Sequence, residues 1–126
     1  MLQTNQAFSS FSVDDIQKAK AFYTETLGLE VAESYGGLSL TIANGGTVMV
    51  YPKPDHTPAT FTVLNFQVDN LEEAVDTLTA AGVQFEQYDM EMIHTDEKGI
   101  SRSDGDGPSM AWFTDPSGNI FALMEL

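Results

Sequence analysis

The sequence predicts an α+β chain of two successive modules, each a strand, a helix and three further strands. Three observations lead there. A short phrase occurs twice, Ser12-Val13-Asp14-Asp15-Ile16 and Gln67-Val68-Asp69-Asn70-Leu71, at an offset of 55 (69 − 14). Each copy closes a stretch that alternates apolar and polar residues and opens one with apolar residues at helical spacing. Glycine-rich turns then cut much of the remainder into strand-length pieces.

Gln6 to Val13 alternates, with Phe11 and Val13 on one side and Ser10 and Ser12 on the other, as a half-buried strand does. Asp14 is placed to cap a helix running to about Leu27, in which Ile16, Ala19, Phe22 or Tyr23, and Thr26-Leu27 make one apolar stripe. Gly28 stops it. Leu29–Tyr35, Leu38–Ala43 and Thr47–Lys53 read as strands, separated by hairpin chemistry at Gly36-Gly37 and Asn44-Gly45-Gly46. From Pro52 to Pro58 there are three prolines in seven residues, which removes donors and restricts the preceding residues. The expected organisation is therefore one domain, with a first module over 1–53, a linker over 54–60 and a second module over 61–126.

The second module repeats the plan. Phe61–Val68 is a strand with Leu64, Phe66 and Val68 on one face and Val63, Asn65 and Gln67 on the other. Leu71, Ala74-Val75 and Leu78 form a helical stripe that ends at Gly82, and Val83–Tyr88 reads as a strand. From Asp89 to Pro108 the pattern lapses in a stretch with Glu91, His94, Asp96 and Glu97: part of it is compatible with a strand, the second portion reads as a polar, glycine-rich loop, and Glu91 to Pro108 is a candidate lid. Met110–Thr114 resumes as a strand, Asp115-Pro116-Ser117-Gly118 is a turn, and Asn119–Leu126 is the closing strand.

Composition narrows the function. Nineteen acidic residues against five basic ones give a net charge of −14, a field that repels phosphate backbones, so no nucleic-acid partner is expected. The same field attracts a cationic small molecule, or simply keeps the protein soluble. No apolar run is long enough to cross a bilayer, and Met1 to Gln6 lacks the regions of a signal peptide, so the expectation is a cytoplasmic protein with no membrane partner. The absence of cysteine excludes thiolate nucleophiles and thiolate metal ligands.

Several phrases together resemble the vicinal oxygen chelate superfamily of glyoxalases, bleomycin-resistance proteins and extradiol dioxygenases. They are Val13-Asp14-Asp15-Ile16, Ala21-Phe22-Tyr23 and Leu27-Gly28-Leu29 in the first half. In the second they are Val68-Asp69-Asn70-Leu71, Ala80-Ala81-Gly82-Val83 and Phe113-Thr114-Asp115-Pro116-Ser117-Gly118-Asn119. The resemblance implies two βαβββ modules whose mixed sheets curl around a cleft, usually as a homodimer. In metal-dependent members a histidine on the first strand and a carboxylate on the last strand of each module hold a divalent ion. Counting from the matching phrases, the histidine positions fall on Phe8 and Val63, and the carboxylate positions on Ala122 and near Val50. All four are apolar, so the expectation is that no such metal is bound and no cofactor is required. Asp104 and Asp106, in the run Ser103-Asp104-Gly105-Asp106-Gly107, resemble calcium-loop chemistry but lack its downstream glutamate and full spacing.

By alternation, the residues expected to line the cleft are Phe8, Ser10 and Ser12 from the first strand and Val48 and Val50 from the fourth. Val63, Asn65 and Gln67 join them from the second module's first strand, and Ala122 and Met124 from the last. Tyr51 and Trp112 offer flat surfaces for stacking, or pack in the core. Three functions stay open: a metal-free binding protein that sequesters a small, cationic molecule; a metal-free lyase, isomerase or dioxygenase; and a metal enzyme with displaced ligands. No nucleophile–base arrangement is legible. Glu91 and His94 are nominal catalytic candidates, and Glu86 and Asp89 stand beside them.

Overall fold

In the computed structural model, which describes residues 1–105 and 107–126, the chain divides between Thr57 and Pro58 into two units. Each carries one four-stranded mixed sheet, and the architecture is α+β.

The first unit contains β1 (Ser9–Val13), α1 (Ile16–Ala21), β2 (Glu30–Ser34), β3 (Gly37–Ile42) and β4 (Gly46–Pro52), in the sheet order β1-β4-β3-β2. Tight turns join β2, β3 and β4 antiparallel, whereas the helical crossover after β1 lets it pair parallel with β4. The helix cap is Asp15, not Asp14 as the spacing suggested. Asp15 is the residue held extended before the first turn, and its Oδ1 accepts the N–H groups of Gln17 and Lys18, both at 3.1 Å. After Ala21 the helix widens into a π turn over Phe22–Thr26, and Gly28 (φ 70°) ends it. Tyr23 is thereby fully buried, edge-on to Phe11 at 6.5 Å between ring centres. Tyr35 (φ 49°) and Gly36 (φ 81°) form the β2–β3 turn, the two positive φ values that match the twist of a two-residue hairpin.

The second unit contains β5 (Thr62–Gln67), α2 (Leu71–Ala80), β6 (Ile100–Ser101), β7 (Ser109–Thr114) and β8 (Ile120–Glu125), in the order β5-β8-β7-β6. Asn70 caps α2 through the Glu73 N–H at 3.0 Å, and Glu125 Oε1 accepts the Leu71 N–H at 2.8 Å, tying the closing strand to the helix start. A chain of edge-on rings makes the core: Phe66 to Phe121 at 6.1 Å, Phe121 to Phe113 at 5.7 Å and Phe113 to Phe85 at 5.5 Å. The closing turn is built on the buried Asp115, whose carboxylate accepts the N–H groups of Ser117 and Asn119 and the Asn119 side-chain amide.

One expectation for this unit changes. Val83–Tyr88 is not a regular strand, although the Glu86 N–H bonds to the Trp112 carbonyl at 2.8 Å. In the stretch after Asp89, part of which was compatible with a strand, specific bonds hold the chain. Asp89 and His94 form an isolated bridge, and Asp96 Oδ1 accepts the N–H groups of Lys98 and Ile100, which turns the chain into the edge strand β6. Lys98 then pairs with Glu72 and Asp76 at 3.1 Å, and Arg102 with Asp96 at 3.0 Å, pinning this segment to α2. Asp104 is exposed, and Asp106 lies outside the described residues. Among the described residues, no helix is long and apolar enough to cross a membrane.

Candidate functional site

Register decides which side chains share a face, because paired positions on neighbouring strands point the same way. In the first sheet Ser10 pairs with Met49, Ser12 with Tyr51, and Met49 with Ser39, so these residues share one face. Phe11 pairs with Val50, and Leu38 and Leu40 pair with Val50 and Val48. Val48 and Val50 therefore belong to the buried face with Phe11, not with Ser10 and Ser12 as alternation had suggested. The run Thr47-Val48-Met49-Val50-Tyr51 has no polar beat from which its phase can be read. Its partner strand supplies the phase. Phe8 precedes β1 and is exposed, and Tyr51 is 44% exposed.

The serine face holds a pair that the sequence did not announce. Ser12 Oγ lies 2.7 Å from Nδ1 of His56, a contact across 44 residues. The Lys53 N–H donates to the Val13 carbonyl and the His56 N–H to the Lys53 carbonyl, so the chain after β4 folds back and carries the imidazole to β1. His56, within the linker over 54–60, is half-buried.

In the second sheet, Asn65, Ala122 and Trp112 form one row across β5, β8 and β7, and Gln67, Met124 and Met110 form the next. Asn65, Gln67, Ala122, Met124 and Trp112 were expected to line the cleft, and Met110 shares their face. Val63 is the exception: the register slips between Thr62 and Leu64, so Val63 is the extra residue of a bulge and has no partner to fix its face. The bond from Glu86 to Trp112 extends the first row outward. Tyr88, two residues on, places its ring edge-on to Trp112 with centres 5.4 Å apart. Burial first, and then the Glu86 carboxylate, hold the Tyr88 phenol above its usual range, so it remains a neutral hydrogen-bonding group. Asn65 and Gln67 are exposed, Trp112 and Met124 half-buried, and Ala122 fully buried.

Glu91 and His94 are exposed on the 88–95 hairpin, where His94 Nδ1 meets Asp89 Oδ1 at 2.9 Å.

The positions where a metal would be held do not fit one. Phe8, Val63 and Ala122 carry no donor atoms, Val50 is fully buried among hydrocarbon, and among the described residues no three His, Asp or Glu side chains gather.

Two βαβββ units, each with its first strand parallel to its last, define the glyoxalase-like class of α+β protein. The model of the Glyoxalase/Bleomycin resistance protein/Dioxygenase superfamily matches residues 6–123, and the chain belongs to that family. No curated protein sequence matches it. Among solved structures it is similar to the fosfomycin resistance protein FosX from Listeria monocytogenes, with 16% identity, a TM-score of 0.73, and coverage of 99% of this chain and 95% of that one. It is also similar to TnmS3, an antibiotic binding protein from Streptomyces sp. CB03234, with 21% identity, a TM-score of 0.66 and 98% coverage of both chains. A lactoylglutathione lyase from Agrobacterium tumefaciens has 18% identity, a TM-score of 0.67, and coverage of 98% of this chain and 95% of that one. At these identities the likeness is one of fold.

Proposed function

We propose that the protein binds a small cationic organic molecule without a metal, in the manner of a sequestering or resistance protein. The observation that carries this reading is the corner formed by Trp112 and Tyr88 beside Glu86: two rings in edge-to-face contact next to a carboxylate. Ring faces and an adjacent negative charge both favour a cation, by about 0.5–2 kcal/mol for each ring contact. Asn65 and Gln67, on the Trp112 face and exposed, supply hydrogen bonds that orient the ligand. The net charge of −14 raises the local concentration of cations. An antibiotic-binding protein among the similar folds supports the same reading. Family resemblance adds a homodimer in the cytoplasm, which light scattering and fractionation test.

Trp112 is the only tryptophan, so its fluorescence reports on this corner directly. Titration with cationic aromatic antibiotics should change the emission and raise the melting temperature, and neutral analogues with the same rings should do so more weakly. Equal responses to cationic and neutral compounds would count against the reading, as would no response to any of them.

Ser12 and His56 favour a second reading, a metal-free esterase in which His56 takes the proton of the Ser12 hydroxyl as that oxygen attacks an ester carbonyl, and returns it to the alkoxide that leaves as the ester C–O bond breaks. Turnover of activated esters, lost in Ser12→Ala, is its test.

A further inference from the structure

The 88–95 hairpin continues the Trp112 corner on one of its two faces. The Thr95 N–H donates to the Tyr88 carbonyl at 2.9 Å and the Met90 N–H to the Ile93 carbonyl at 2.7 Å, with Asp89 and His94 paired antiparallel between them. Side chains alternate along each arm, so Tyr88, Met90 and Ile93 share one face, and Asp89 and His94 the other. The Tyr88 ring lies edge-on to Trp112, which turns the first face toward the corner. On that face Met90 is 55% exposed and Ile93 half-buried, hydrocarbon left open to solvent. On the opposite face the polar groups meet each other, His94 Nδ1 lying 2.9 Å from Asp89 Oδ1.

Charge and hydrocarbon therefore lie at opposite ends of one track. Glu86, Trp112 and Tyr88 form the inner end, where the Glu86 N–H bonds to the Trp112 carbonyl. Met90 and Ile93 form the outer end. Tyr88 and Met90 are alternate residues, at most about 7 Å apart at their Cα atoms. With 5.4 Å between the Tyr88 and Trp112 ring centres, the track runs roughly 12 Å, longer than a single benzene ring. We propose that the ligand is an amphiphilic cation, its charged group against Trp112, Tyr88 and Glu86 and its apolar chain along Met90 and Ile93. This inference rests on the cation-binding reading of the corner and adds the chemical class of the ligand. Methionine suits a chain without fixed shape, because its three rotatable bonds and polarizable sulfur let it follow the chain. Methylene groups laid on Met90 and Ile93 leave water, which adds affinity that a compact cation does not gain. A neutral chain gains nothing from the Glu86 charge, so the two ends together select the class.

Benzyltrimethylammonium and benzyldimethyloctylammonium share a charged head and differ in the chain, so calorimetry and tryptophan fluorescence with the two, below micelle-forming concentrations, test this. The octyl compound should bind at least tenfold more tightly. Met90→Gln, which keeps the length of the side chain and makes its end polar, should cut that ratio at least threefold while circular dichroism stays unchanged. Met92→Gln is the control. Met92 stands at the turn, 91% exposed, and its replacement should leave the ratio as it is. Equal affinities for the two compounds, with both bound, overturn the amphiphile and leave the cation-binding reading standing. Binding of neither compound overturns both. A ratio that survives Met90→Gln, or that falls as far in Met92→Gln, puts the chain elsewhere and overturns the proposal as well.

Discussion

The Ser12 hydroxyl lies 2.7 Å from His56 Nδ1, and this contact ties the chain beyond β4 to the edge strand β1. A part-buried hydrogen bond of this kind contributes about 1 kcal/mol. Ser12→Ala and His56→Ala are each expected to lower stability by about that amount. In a double-mutant cycle their effects should be less than additive, because either change removes the same bond. Full additivity in chemical denaturation would show that the two side chains are not coupled.

Gly37 is closed to any larger residue. A Cβ built there would run into the Val50 carbonyl oxygen and crowd Tyr51 Cα at 3.3 Å, both backbone atoms that cannot step aside. Gly37→Ala should therefore cost about 2 kcal/mol or more by forcing β3 and β4 apart. Gly46→Ala is the control, since a Cβ added there meets nothing within 4 Å and its φ is an ordinary −72°. Comparable melting temperatures for the two variants would refute the steric account.

The sequence disclosed the plan of the fold more fully than the detail of the site, for physical reasons. Ser10 and Ser12 alternate cleanly with Phe11 and Val13, so the faces of β1 were legible from polarity alone. In β4 an unbroken apolar run carries no phase, and the faces of Val48 and Val50 follow only from pairing. Val63 sits at a bulge, which shifts register without any mark in composition. His56 meets Ser12 through tertiary structure across 44 residues, beyond the reach of any local pattern. Tyr88 and Glu86 join Trp112 by the same kind of contact.

Asp96 makes stability depend on acid. Burial opposes its ionisation, but the N–H groups of Ile100 and Lys98 and the Arg102 guanidinium outweigh that and hold its carboxyl below the ordinary carboxylate range. A folded pKa below the unfolded one gives stability that is present above the unfolded value of 3.8 and lost as pH falls through the folded one. Asp96→Asn should therefore lower the melting temperature at pH 7, and the deficit relative to wild type should shrink below about pH 4. A deficit that is constant from pH 7 to pH 3 would assign the loss to packing instead.

Salt should stabilise this protein. Of its five basic residues, Lys20, Lys53, Lys98 and Arg102 are already engaged with carboxylates, at Glu33, at Asp55, at Glu72 and Asp76, and at Asp96. Five cations cannot offset nineteen acids, and the mutual repulsion of the excess opposes the folded state. Exposed pairs such as Lys20–Glu33 are worth about 0–1 kcal/mol each, and salt weakens them too. The repulsion among many acids is the larger sum, because it acts over distances that the Debye length of about 30 Å at 0.01 M leaves unscreened and that of about 3 Å at 1 M removes. Raising potassium chloride from about 0.01 M to about 1 M is expected to raise the melting temperature by a few degrees, about 1 kcal/mol of stability. Replacing exposed acids such as Glu30 and Asp69 with glutamine and asparagine should raise the low-salt value and flatten the salt dependence. A melting temperature that falls with salt in the wild type would mean that the named ion pairs outweigh the repulsion.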